Sequence, residues 1–154
     1  MNEKRYLFNP FNIESATDEQ IKQTYNIIYE ETIQTPNTMV EYARLIEQYS
    51  NLNYLIGEMI ARLSKKYIQL KTNIEIDKAI KQTEERKAWD KELYGKPPAI
   101  AYFEALATRF CQKDINTLAD VESSLKRFKN AYNSMEEKIN ALKKKMEAIK
   151  YEEF

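Results

Sequence analysis

The stretch LADVESSLKRFKNAYNSMEEKINALKKKMEAIK, residues 118–150, decides the fold. Its apolar residues are Leu118, Val121, Leu125, Phe128, Tyr132, Met135, Ile139, Leu142, Met146 and Ile149, in unbroken alternating steps of three and four. That spacing predicts one continuous helical stripe, on the order of 48 Å long at ~1.5 Å per residue. A second stripe precedes it. Tyr42, Leu45, Tyr49, Leu52, Ile56, Met59 and Leu63 repeat the same 3,4 alternation, and Tyr67, Leu70 and Ile74 extend it after a four-residue insertion. Between the two stripes lies Gly95-Lys96-Pro97-Pro98, where the chain is expected to reverse.

Composition agrees with this reading. The chain has 154 residues, with 2 Gly and 4 Pro, too few turn-formers for a sandwich or barrel. The expected fold is all-α: a long antiparallel, coiled-coil-like helical hairpin with a short N-terminal helix and an extended arm. Residues 1–16 read as the arm and 17–154 as a single helical domain. Within that domain we expect a short helix over about 17–34, a long helix over about 38–93 and a turn at 94–98. A long helix or helix pair over about 99–150 follows. Thr17 with Gln20, and Thr38 with Glu41, have the spacing of capping boxes that start the first two helices. Asn116 or Thr117 is a possible restart inside the last segment. Gly57, inside the second helix, suggests a close helix–helix contact.

Several chemistries are excluded by residue type. With no histidine and one cysteine, Cys111, there is no Ser-His-Asp triad, no zinc ribbon and no internal disulfide. Glycine is too scarce for a phosphate-binding loop. The adjacent carboxylates Glu30-Glu31, Glu84-Glu85 and Glu136-Glu137 point about 100° apart on a helix and do not pair for acid–base work. No catalytic residue, metal ligand or cofactor is assigned, and a non-enzymatic protein is expected. The lone cysteine, the lack of a signal-like N-terminus and the absence of a long apolar run predict a cytoplasmic protein without a membrane span.

Charge is uneven although the total is zero: residues 1–61 carry a net −5, residues 62–96 a net +4 and residues 97–154 a net +1. Between Glu58 and Glu75 there are four cations, Arg62, Lys65, Lys66 and Lys71, and no acid, with Tyr67 among them. A cationic helix face beside a stackable ring suits sequence-tolerant binding of single-stranded nucleic acid. The alternative is a solvated face with Tyr67 in the core. Lys126, Arg127 and Lys129 form a second basic cluster, and antiparallel pairing about residues 95–98 would bring it near the first. Lys143-Lys144-Lys145 form a third cluster, read as solvated positions. For partner or oligomer contacts the candidates are Tyr6, Phe8 and Phe11 on the arm, Trp89, and Leu125, Phe128 and Tyr132 on the stripe. The unmatched apolar flank Ile46, Ile60, Ile68, Ile76 and Ile80 also predicts a homo-oligomer.

The long amphipathic helix with KKYIQLK (65–71), the polar stretch Thr83-Glu-Glu-Arg86-Lys87-Ala88, a tyrosine near the turn and a second long helix together resemble small bacteriophage recombination mediator proteins. The resemblance covers roughly residues 39–150 and rests on pattern and length. It implies a helical oligomer in the bacterial host cytoplasm that binds single-stranded DNA, displaces a single-strand-binding protein and loads a RecA-like recombinase. By the same resemblance, Lys65, Lys66, Tyr67 and Lys71 match the strip that contacts DNA. The neutral total charge and residues 1–35 have no counterpart in that pattern. From a different class comes the reading of a helical protein-interaction module without nucleic-acid binding, either a phage-encoded inhibitor of a host protein or a virion or scaffold component.

Overall fold

Proline denies a helix its donor and an Asn or Asp side chain can supply a cap, so the chain breaks where such residues fall. The computed structural model describes residues 5–152, and among these no residue is in a β-strand. A 3-10 segment, Pro10–Ser15, precedes five helices: α1 (Asp18–Glu30), α2 (Met39–Ala88), α3 (Lys91–Tyr94), α4 (Ile100–Phe110) and α5 (Gln112–Glu152). The all-α expectation holds. The chain divides into two compact units, one formed by residues up to Arg62 with those from Lys126 onward, the other by Leu63–Leu125. No described helix is long and apolar enough to cross a membrane.

In the first unit both capping boxes are present. Thr17 Oγ1 accepts from the Gln20 amide at 3.1 Å, and Gln20 Oε1 accepts from the Thr17 amide at 2.9 Å. Thr38 Oγ1 accepts from the Glu41 amide at 3.2 Å. The Glu41 carboxylate in turn accepts from the amides of Asn37 and Thr38, which hold it below the usual carboxylate range. The turn between α1 and α2 is closed by Gln48, fully buried on α2. Its Nε2 donates to the Glu31 carbonyl at 3.0 Å, and its Oε1 accepts from the Ile33 amide at 3.2 Å. A buried amide is tolerated here because both of its ends are paired.

The N-terminal arm departs from expectation. Asn9 Oδ1 accepts from the Phe11 amide and Pro10 opens the 3-10 turn, so the chain coils instead of extending. Tyr6, Ile13 and Ala16 are buried with Ile21, Ile28, Leu52, Leu55, Met135 and Ile139, and Phe8 packs against that core. Tyr6 and Phe8 therefore find their cover within the same chain, while Phe11 stays exposed. The buried face of α2 is correspondingly wider than the 3,4 stripe. Leu45, Gln48, Leu52, Leu55 and Ile56 are all buried, because the N-terminal segment and α1 cover one flank while α5 covers the other. Burying each such leucine or isoleucine contributes roughly 1.5–3 kcal/mol. Gly57 stands where α2 meets α5: a Cβ there would lie 3.5 Å from the Tyr132 ring.

In the second unit α2 stops at Ala88, short of residue 93. Asp90 Oδ1 accepts from the amides of Glu92 and Leu93 and so starts α3 as a separate turn. Gly95, at φ 76°, ends α3 in a backbone conformation that side chains resist. The last segment is a helix pair, and its break is at Cys111, ahead of the expected restart at 116–117, which lies inside α5. The break is slight. The Cys111 amide donates to the Ala107 carbonyl and its carbonyl accepts from the Ile115 amide. Ile74, Phe103, Ala107, Cys111, Val121 and Leu125 form the buried set of this unit.

Candidate nucleic-acid interface

With no acid between Glu58 and Glu75, Lys65 and Lys66 have no acidic partner three or four residues away on the helix, and Lys71 has only Glu75, to which it makes no ion pair. Lys65, Lys66 and Lys71 are exposed on α2 in the second unit and form no ion pair among the described residues. Tyr67, beside them, is half-buried, so part of its ring remains accessible. The three ammonium groups and the ring form a cationic, partly aromatic helix surface.

Arg62 is different. Its Nη1 donates to Asp18 at 2.7 Å and its Nε to Glu58 at 2.9 Å. Its Nη2 donates to the carbonyls of Ile13 and Ala16, at 3.1 and 2.6 Å. The guanidinium, on a side chain 24% exposed, is consumed in fastening the N-terminal segment and the start of α1 to α2. This corrects its assignment as a phosphate contact: a fork of five donors meets four acceptors within the chain itself.

Lys126, Arg127 and Lys129 are exposed on α5 and belong to the first unit. They lie in a different compact unit from Lys65, Lys66 and Lys71.

The expected partner contacts are largely internal packing. Tyr6 and Phe8 meet edge to face, ring centroids 5.6 Å apart, in the first unit's core. Of the arm's aromatic residues Phe11 is open, 88% exposed. Phe128 lines an apolar cleft of about 410 Å³ with Ile21, Tyr25, Leu55 and Met59. Tyr132 lies against Gly57, and Leu125 is buried. Trp89 is held in the second unit by Tyr94, Tyr102 and Phe103, and its Nε1 donates to the Gly95 carbonyl at 3.1 Å. It closes the turn it sits beside. Of the apolar flank, Ile46 and Ile60 are half-buried, whereas Ile68, Ile76 and Ile80 are exposed along α2.

Three buried polar residues were not anticipated, Thr24 on α1 and Gln48 and Asn53 on α2. Gln48 sits between Leu45 and Leu52 in a 3,4 step, a signal that a second stripe of α2 is covered. Asn53 likewise falls in 3,4 steps, between Tyr49 and Ile56 and in register with Ile46 and Ile60, so its burial was signalled by the apolar flank. No protein-family model, curated protein or solved structure matches this chain.

Proposed function

We propose that this chain is a non-enzymatic accessory protein that binds single-stranded DNA and assists the loading of a recombinase in recombination or replication, in the cytoplasm of a bacterial host. The observation that carries the reading is the exposed, acid-free set Lys65, Lys66 and Lys71 around Tyr67 on one continuous helix. Lysines neutralise phosphates and release counterions, and a half-exposed tyrosine accepts a base on its face. The resemblance to phage recombination mediators points the same way, and a recombinase or a single-strand-binding protein is the matching partner. Lys126, Arg127 and Lys129 supply a second set of phosphate contacts in this reading.

The test is fluorescence anisotropy of a labelled single-stranded oligonucleotide across a salt series. Lys65→Ala with Lys66→Ala is expected to weaken binding and to reduce the salt slope by about 1.4, two contacts at ~0.7 each, with helicity unchanged. Unchanged affinity in that variant rejects the strip as the binding surface. A second reading, a helical protein-interaction module, is favoured by the exposed Ile68, Ile76 and Ile80, since apolar side chains in a row on one helix are suited to a protein partner or a second copy. Absence of binding by the parent protein even at low salt would select it.

A further inference from the structure

In the second unit α2 carries a second stripe along its outer side. Ile68, Thr72, Ile76, Ala79, Ile80 and Thr83 follow in helical register and are all exposed, the three isoleucines by 63%, 51% and 52%. At about 100° per residue they share one face, opposite Ile74, which this unit buries. No charged residue falls on that face between 68 and 83, in a chain that is 31% charged. An uncharged stripe in such steps is the seam of a helix pair. The charges along its flanks indicate what the second helix is.

Those charges are divided end to end. Residues 63–74 carry Lys65, Lys66 and Lys71 and no acid, whereas residues 75–85 carry Glu75, Asp77, Glu84 and Glu85 against Lys78 and Lys81. Of these, only Lys81 and Glu85 pair with each other among the described residues. A parallel second copy would set lysine on lysine. An antiparallel one sets the cationic half of each copy on the acidic half of the other, so the face complements itself. Side-chain fit and charge call for the same register, with a two-fold axis at the level of Asn73. Lys71 and Glu75 stand two residues to either side of it, so each Lys71 faces Glu75 of the second copy. Ile68, five residues before the axis, meets the space between Ile76 and Ile80 of the second copy, three and seven residues after it. Lys66 comes within about one helical turn of Glu84 of the second copy, inside the reach of a lysine. Lys65 lies on the seam, its stem along Ala79 and Thr83 of the second copy and its ammonium group beyond the edge. We propose that two copies pair antiparallel through this face, Glu75 and Glu84 of each holding Lys71 and Lys66 of the other, and that single-stranded DNA and the second copy compete for these lysines. The pairing stands on the stripe and its charges, and the competition rests on the single-stranded DNA reading.

Sedimentation equilibrium of the full chain, at low salt and without DNA, tests the pairing. The parent is expected to form dimers. Lys66→Glu with Lys71→Glu, and separately Glu75→Lys with Glu84→Lys, are each expected to weaken dimerisation at least about tenfold, because the facing pairs turn repulsive. All four substitutions in one chain recreate complementary halves, and dimerisation is expected to return to within about threefold of the parent. An equal mixture of the two double variants is likewise expected to form heterodimers. The four positions are exposed, and helical circular dichroism checks that each variant is folded. A parent that stays monomeric, or double variants that dimerise as the parent does, overturns the pairing. A folded fourfold variant and a mixture that both stay monomeric overturn the antiparallel register. An excess of a short single-stranded oligonucleotide is then expected to convert the dimer into single chains that carry DNA. DNA bound to an intact dimer overturns the competition while leaving the single-stranded DNA reading in place. No DNA bound at all overturns both, and the pairing is then judged by sedimentation alone.

Discussion

Arg62 shows how far a residue's role depends on what surrounds it. As part of a basic run it reads as a phosphate contact, yet its four partners, Asp18, Glu58 and the carbonyls of Ile13 and Ala16, make it a fastener of the N-terminal segment. Asp18 is largely exposed, so that ion pair adds little, and most of the effect resides in the two carbonyls and Glu58. Arg62→Met keeps the aliphatic stem and leaves the two carbonyls without their donor. The expected loss is about 2 kcal/mol in urea unfolding, with affinity for single-stranded DNA unchanged. Full stability with reduced DNA affinity would return Arg62 to the interface. Nothing in the sequence around Arg62 announces this, because its acceptors at residues 13, 16 and 18 are more than forty positions away.

At the scale of the element, the helices were legible because a 3.6-residue turn forces apolar residues into 3,4 steps and because capping chemistry is local. Thr17 with Gln20 and Thr38 with Glu41 cap as their spacing requires. The ends of α2 and α4 were less legible. Asp90 outbids the helix for two amides, and Cys111 breaks the last segment with no side-chain signal, its neighbours still bonded helically on both sides. Gly57 yields a prediction here. An added Cβ would meet the Tyr132 ring at 3.5 Å, an ordinary van der Waals distance, so the helix gains propensity without a clash. Gly57→Ala is expected to stabilise the protein by about 0.5–1 kcal/mol in thermal or urea unfolding. A loss of stability would mean that α2 and α5 approach more closely than this.

For the whole molecule, the distribution of charge and apolar surface matters more than their totals. The formal charge is zero, yet residues 62–96 are net positive and residues 1–61 net negative. With Arg62 neutralised by Asp18 and Glu58, the cationic surface of that middle stretch begins at Lys65. The second unit also exposes Ile68, Ile76 and Ile80, which a chain alone in water has no reason to line up. Self-association through this row is expected to appear as a concentration-dependent mass in sedimentation. Ile68→Asp with Ile76→Asp is then expected to shift the protein toward monomer with its helical circular dichroism retained. A parent protein that remains monomeric at high concentration would assign the row to a different protein.

The sequence by itself determined that this protein is helical, where the first two helices begin, and which stretch carries cations without acids. Those properties follow from spacing and chemistry within a turn or two of one helix. Only the tertiary structure decided that Tyr6 and Phe8 serve the chain's own core, that Arg62 is a clasp, and that Trp89 closes a turn. It also left Asn53 Oδ1 buried without a hydrogen-bond partner. Each of these depends on contacts between residues far apart in sequence, and burial is a property of what lies opposite a side chain, which no local pattern encodes.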